Sequence, residues 1–315
     1  MKIVLLEPLG VPEATIQRYA KTLEKDGHTF AAYPKDTDPA VQIERAKDAD
    51  VIMIANMPLR GQVIENCPNL KFIDVAFTGV DHVDLEAAKR CGVKVSNAAG
   101  YSTQAVAELA LCMMLSLSRN VPQVEKRCRE GGTKDGLVGF EIQGKTVGIV
   151  GAGTIGTRLA QLLAPFSCRV LAYSRHPRED KKGLVEYVTL DALLEQSDVV
   201  TLHCPLTDET RGMIGREQLA KMKPTALLIN TARGPVVDAA ALAEALNEGR
   251  IAGAGVDVFD VEPPLPAESP LLHSKNTLVT PHVAFASAES MEARAGIVFD
   301  NIRAWMDGNQ QNIVL

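Results

Sequence analysis

Residues 145–156 read KTVGIVGAGTIG: an apolar, β-branched run, then glycines at 151, 153 and 156, leading into a helix-forming stretch over 157–164. Strand, tight turn and helix in that order give the G-x-G-x-x-G spacing its meaning, since a bare match to the pattern carries little. Gly151 permits the turn, Gly153 lets backbone approach a pyrophosphate, and Gly156 lets the helix pack closely on the strand. Phosphate then sits at the helix N-terminus beside Thr154 and Ile155, where N–H groups without helical partners and the helix dipole favour an anion. The expectation is a Rossmann-type dinucleotide site on a parallel α/β sheet.

Downstream, CRVLAYS (168–174), VEYVTL (185–190), DVVTLHC (198–204), TALLINTA (225–232), GAGVDVF (253–259) and NTLVTPH (276–282) continue the alternation, so seven strands are expected with residues 145–150. Upstream, KIVLLEP (2–8), TFAAYP (29–34), DVIMIA (50–55), KFIDVAF (71–77) and VKVSNA (93–98) alternate with helical stretches over 12–25, 39–47 and 85–91. Strand and helix in alternation predict a second parallel sheet. Between the two series, Val106, Leu109, Ala110, Met113, Met114 and Leu117 follow helical spacing behind Ser102 or Thr103 as cap. A long linking helix with its methionines in the core is predicted. A Gly-rich turn (Gly131, Gly132, Gly136, Gly139) comes next. Near the end, Met291, Ala295, Val298, Ile302 and Trp305 mark an amphipathic helix over 287–307.

The chain has 315 residues, 46% hydrophobic and 23% charged, which is ordinary globular composition with room for two domains. Acidic residues outnumber basic ones 39 to 33, for a net charge of -6, and no basic run exceeds two residues. Nucleic acid and anionic membranes are therefore poor partners. The longest stretches free of Asp, Glu, Lys and Arg, residues 95–107 and 276–288, reach 13 residues; spanning a bilayer takes about 20. Four apolar residues between Lys2 and Glu7 are too few for a signal-peptide core, so a cytoplasmic location is expected. Cys67, Cys91, Cys112, Cys128, Cys168 and Cys204 include no CxxC pair and mostly sit in apolar segments. They read as reduced, buried thiols, and no metal site is expected.

An NAD site ordinarily ends its second strand on an Asp or Glu about 20 residues past the glycines, bound to the ribose 2′-hydroxyl. Here that strand ends in Ser174, followed by Arg175, His176 and Arg178. Cations without a carboxylate suit a 2′-phosphate, so NADP(H) is favoured over NAD(H). The other readings leave Arg175 and Arg178 as solvated cations partly offset by Glu179 and Asp180, with NAD(H) bound without the acid, or give Arg175 only a stacking contact on adenine.

Arg233, Glu262 and His282 each fall just beyond a predicted strand of the second series, and ligands of open α/β sheets bind beyond carboxyl strand ends. Hydride transfer to a carbonyl requires a hydride donor and a proton donor for the developing alkoxide, and an anionic substrate adds the need for a cation. A nicotinamide, a histidine and an arginine supply these. His203 ends a strand as well, and from position alone the two histidines are equal candidates.

NTARGPVVD with Arg233, GVDVFDVEPP with Glu262 and VTPHVA with His282, together with GAGTIG and LHCPLT, resemble the D-isomer-specific 2-hydroxyacid dehydrogenase family over nearly the whole chain. The resemblance implies a flavodoxin-like substrate domain, residues 1–100 plus 287–315, around an inserted Rossmann domain, residues 101–286. It implies His282 as acid/base, Glu262 as the carboxylate that favours the charged imidazole and fixes its ring, and Arg233 as the bidentate grip on substrate. His203, Cys204, Pro205 and Thr210 then belong to a cofactor-side motif. Thr103, Ser174, Arg175, Thr231 and Ala232 line the dinucleotide, and Asp257 sits near the nicotinamide carboxamide. Thr78, Gly79 and Val80, after Phe77, resemble the loop whose N–H groups meet the substrate carboxylate, with a plain strand-to-helix turn as the other reading.

The activity implied is an NADPH-preferring reduction of a small 2-oxo acid to the D-2-hydroxy acid, with glyoxylate or hydroxypyruvate favoured and a homodimer as the assembly. Asn56, Met57 and Leu59 either wall the side-chain pocket or, for the last two, pack in the core. Glu262 argues against formate dehydrogenases, which place Gln there. Phosphoglycerate dehydrogenase-type activity without a regulatory domain stays open, as does a dinucleotide-sensing scaffold resembling the C-terminal-binding corepressors, although no long disordered tail of their kind is present.

Overall fold

Apolar strands buried on both faces specify parallel sheets, because crossover helices cover each side. The computed structural model describes residues 1–181, 183–261 and 263–315. They form two units, Met1–Ser102 with Ala286–Leu315, and Thr103–Phe285. In the first unit β1 (Lys2–Leu5), β2 (Thr29–Ala32), β3 (Val51–Ile54), β4 (Phe72–Val75) and β5 (Lys94–Asn97) are all parallel, in the order β2-β1-β3-β4-β5. That is the flavodoxin-like order.

The second unit contains β6 (Thr146–Val150), β7 (Arg169–Tyr173), β8 (Glu186–Tyr187), β9 (Val199–Leu202), β10 (Leu227–Asn230), β11 (Gly253–Val256) and β12 (Thr277–Val279). They are parallel in the order β12-β11-β10-β9-β6-β7-β8. The order reverses direction between β6 and β9, which makes their carboxyl ends the switch point where a doubly wound sheet opens a ligand crevice.

The crossovers are α1 (Glu13–Lys25), α2 (Pro39–Ala46), α3 (Gly61–Glu65), α4 (Leu85–Arg90), α5 (Thr103–Ser118), α6 (Val121–Arg129), α7 (Thr154–Leu163), α8 (Leu190–Gln196), α9 (Arg216–Lys221) and α10 (Ala239–Asn247), with α11 (Ala288–Met306) closing the first unit. Helix α7 starts at Thr154, three residues before the sequence reading, because Gly153 serves as its N-cap and the motif itself forms the first turn. Met113 and Met114 of α5 are core residues, as their spacing requires. The cysteines depart from expectation. Cys67 is buried, but Cys91, Cys112 and Cys128 are exposed. Cys91 caps the C-terminus of α4, and Cys128 lies on α6, which buries none of its residues.

Helix α11 packs through aromatic contacts: Trp305 stacks on Phe72 of β4 at 4.8 Å, and Phe299 stacks on Tyr19 of α1 at 4.7 Å. Beside them Asp74 of β4 is fully buried. Asn301 Nδ2 donates to Asp74 Oδ1 and to the Asn97 carbonyl, each at 3.0 Å, and Asn312 Nδ2 donates to Asn301 Oδ1 at 2.8 Å. The chain end is thereby tied to the open edge of β5, where Val95 N donates to the Leu315 carbonyl.

Burial drives the Asp74 carboxyl well above the usual carboxylate range, only partly opposed by the Asn301 hydrogen bond. The unfolded chain therefore sheds this proton first, and the stability Asp74 contributes falls as pH rises beyond the ordinary Asp value of 3.8. Asp74→Asn, which has no proton to lose, should resist urea better than the parent at pH 8, with a smaller margin at pH 5. A margin independent of pH would contradict this account.

Candidate active site

The glycine turn does at the switch point what its spacing predicts. Gly151 has φ +99°, and a Cβ there would lie 2.7 Å from Cys204 N and from the His203 carbonyl carbon. Only glycine lets the end of β6 approach the end of β9 so closely. A Cβ on Gly156 would meet the Gly151 carbonyl oxygen at 2.4 Å, so its absence seats α7 against β6. Gly153 has nothing within 4 Å of its Cβ position, leaving open space at the N-terminus of α7. Buried polar atoms at the strand ends beyond this turn, His203 Nδ1 after β9 and Thr231 Oγ1 after β10, have no hydrogen-bond partner among the described residues. A glycine cradle and unused polar atoms fit a pyrophosphate-linked dinucleotide.

The remaining cofactor-side residues take different places. Thr201 Oγ1 pairs with His203 Nε2 at 2.9 Å, and burial pulls the His203 pKa down to about 4. The Cys204 thiol is pushed up to about 11 by burial, opposed in part by Arg175. Thr210 is buried, and its hydroxyl donates to the Pro205 carbonyl at 2.7 Å while accepting from Thr207 N at 2.8 Å. It braces the turn after β9. Ser174 Oγ accepts from His176 N at 3.3 Å. Thr103 is the first residue of α5 and Ala232 is buried at the end of β10. The cations both have carboxylate partners: Arg175 pairs with Glu209, and Arg178 forms a two-pronged pair with Asp180 at 3.0 Å.

At the other side of the same sheet edge, Asn230 shapes the turn that presents Arg233. Its side chain accepts from Ala232 N and donates to the Arg233 carbonyl, each at 3.0 Å. Gly234 makes this turn possible, since a Cβ there would come within 2.0 Å of Phe259 backbone. The half-buried Arg233 guanidinium donates to the Ala232 carbonyl at 2.8 Å. Asn230 escaped the sequence reading, although Asn at a strand end is a familiar turn former.

His282 is held by Asp257. The Asp257 side chain is fully buried, and its oxygens accept from Thr280 Oγ1 at 2.5 Å, Val283 N at 2.9 Å and Ala284 N at 2.8 Å. His282 N in turn donates to the Asp257 carbonyl at 2.7 Å. The bonds fall on both sides of His282 and fix a left-handed backbone, φ +54°, that a non-glycine residue adopts only at a cost of about 1 kcal/mol or more. Phe285 stands edge-on to the imidazole at 5.7 Å. The Asp257 carboxylate is thus sealed beneath the histidine loop. Glu262 lies outside the described residues.

A cavity of about 680 Å³ beside α10 is lined by Asn230, Gly234, Val256 and Val258 but not by Arg233, Asp257 or His282. In the first unit, Thr78 is exposed after β4, with Gly79 and Val80 half-buried. Asn97 Nδ2 donates to the Thr78 carbonyl at 2.7 Å, which fixes the loop from β5. Met57 and Leu59 are fully buried and belong to the core. The buried Glu7 carboxylate puts them there by accepting from Ala55 N at 2.7 Å and Met57 N at 2.8 Å. Among the described residues no helix is long and apolar enough to cross a membrane, and no cluster of His, Cys, Asp and Glu could hold a metal ion.

Residues 111–284 match the D-isomer specific 2-hydroxyacid dehydrogenase, NAD binding domain. The chain is 40% identical over 306 residues to a glyoxylate reductase of Korarchaeum cryptofilum, covering 95% of this chain and 91% of that one. It is 40% identical over 300 residues to a glycerate dehydrogenase of Methylorubrum extorquens, covering 91% and 92%. Among solved structures, an acyclic imino acid reductase (Bsp5) in complex with NADPH and D-Arg superposes with TM-score 0.91 at 27% identity over the whole of both chains. Motif, two parallel-sheet units and relatives agree: the chain belongs to the D-isomer-specific 2-hydroxyacid dehydrogenases, NAD(P)-dependent oxidoreductases acting on CH-OH donors.

Proposed function

We propose that this chain reduces small 2-oxo acids to D-2-hydroxy acids, with glyoxylate or hydroxypyruvate as substrate and NADP(H) favoured over NAD(H). The observation that carries the reading is the Asp257-braced loop that fixes His282 on the sheet edge that also presents Arg233. The names of the relatives support the substrate class, and the NADPH complex of the imino acid reductase supports the cofactor. Ser174 at the end of β7, with Arg175 behind it, leaves no acid there to repel a 2′-phosphate.

A bound nicotinamide dinucleotide supplies the hydride. His282 as imidazolium gives its proton to the carbonyl oxygen, and as neutral imidazole it takes the hydroxyl proton in the reverse direction. Glu262 is its carboxylate partner. Arg233 grips the substrate carboxylate. Asp257 positions His282 without touching substrate. His203, whose pKa lies near 4, is neutral at neutral pH and unsuited to protonating an alkoxide, which leaves the acid role to His282.

The exposed, free thiols of Cys91, Cys112 and Cys128 suit a reducing compartment, so the proposed location is the cytoplasm. A second copy is the proposed cover for α6, which buries none of its residues, and for exposed Val121 and Val138. Sedimentation as a monomer at micromolar concentration would refute the homodimer.

Screening 2-oxo acids for consumption of NADPH and NADH should give glyoxylate or hydroxypyruvate the highest kcat/KM, with NADPH preferred. A branched or aromatic 2-oxo acid ahead of both would overturn the substrate assignment. In the same assay His282→Ala should lose about 10²- to 10⁴-fold in kcat while NADPH affinity, measured by calorimetry, stays within about twofold of the parent. Near-normal turnover would remove His282 from the chemistry.

A further inference from the structure

The Arg175–Glu209 pair joins two strand ends that are not neighbours. Arg175 follows β7 and Glu209 lies in the turn after β9, and in the sheet β6 runs between them. The pair therefore bridges across the carboxyl end of β6, where the Gly151 to Gly153 turn opens. Arg175 also reaches far enough toward β9 to act on the Cys204 thiol against the effect of burial. Glu209 is not loosely placed: its turn is pinned by the Thr210 hydroxyl to the Pro205 carbonyl and to Thr207 N. Both charged side chains remain about half exposed or more, 49% for Arg175 and 66% for Glu209. An exposed pair of this kind is weak, on the order of 0.2–1 kcal/mol, and opens readily.

We propose that Glu209 is a cofactor-specificity residue: it supplies, from the turn after β9, the acidic group missing at the end of β7, and it competes with a 2′-phosphate for Arg175. With NADH the carboxylate is free to accept from the ribose 2′-hydroxyl, the task an acid at the end of the second strand otherwise performs. With NADPH the pair must open, Arg175 turns to the phosphate, and Glu209 is left as a like charge beside it. The chain therefore uses both dinucleotides, and Glu209 limits how far NADPH is preferred. This inference rests on the reading of Arg175 as the phosphate-binding cation.

The test is calorimetric affinity for NADPH and NADH, without substrate, in the parent, Glu209→Gln, Arg175→Ala and the double variant. Glu209→Gln should tighten NADPH by up to about fivefold and weaken NADH. The gain should shrink at 0.5 M salt and be smaller when Arg175 is alanine, where only the like-charge repulsion is left to remove. If Arg175→Ala weakens NADPH alone but Glu209→Gln shifts the NADPH-to-NADH ratio by less than about twofold, the phosphate-binding reading stands and the Glu209 assignment is overturned. If Arg175→Ala weakens both cofactors alike, the reading and the inference fail together.

Discussion

One buried carboxylate, that of Asp257, organises the reactive edge of the second unit. It sits where β11 ends, takes three hydrogen bonds from the segment after β12, and so converts two adjacent strand ends into a single rigid rim. A carboxylate out of water is tolerable only when its lone pairs are used, and backbone N–H donors use them without the entropy loss of long side chains. The return on that arrangement is His282 in a left-handed conformation that the chain would not choose unaided.

The opposite side of the edge follows a different logic. There the constraint is space rather than charge: Gly151 and Gly156 are required because β6, β9 and α7 approach within distances that exclude a Cβ. Gly153 differs in having nothing near it, which leaves open space at the N-terminus of α7. Sheet order connects the two sides, since β10 and β11, which carry Arg233 and Asp257, follow β9 outward from the switch point. A parallel sheet thus gathers groups far apart in sequence on one rim, each at its own carboxyl strand end.

Much of this was legible in the sequence because it is local. Strand runs, the linking helix with its methionines, and the glycine turn announce themselves through periodicity and spacing. What stayed hidden depends on contacts between distant segments. The resemblance singles out Asp257 as a cofactor-side residue, but its hold on residues 280–284, more than twenty positions away, shows only once they are folded onto it. Glu209 lies in a polar turn without any motif of its own that links it to Arg175. Met57 and Leu59 could wall a pocket or fill a core on sequence alone; the buried Glu7 carboxylate, nearly fifty residues earlier, draws their loop inward. The cysteines misled because apolar neighbours in sequence do not fix which face of a helix, or which side of its cap, a thiol occupies.

The most direct test of the account is to separate turnover from dinucleotide affinity in Asp257→Asn. The amide turns one acceptor into a donor facing backbone N–H groups, so the loop should loosen and kcat should fall about 100-fold or more, with the NADPH dissociation constant changed by less than about threefold. A variant that turns over normally would show that Asp257 is not needed to hold the histidine, and one that loses dinucleotide affinity in proportion to activity would show that it serves the cofactor instead.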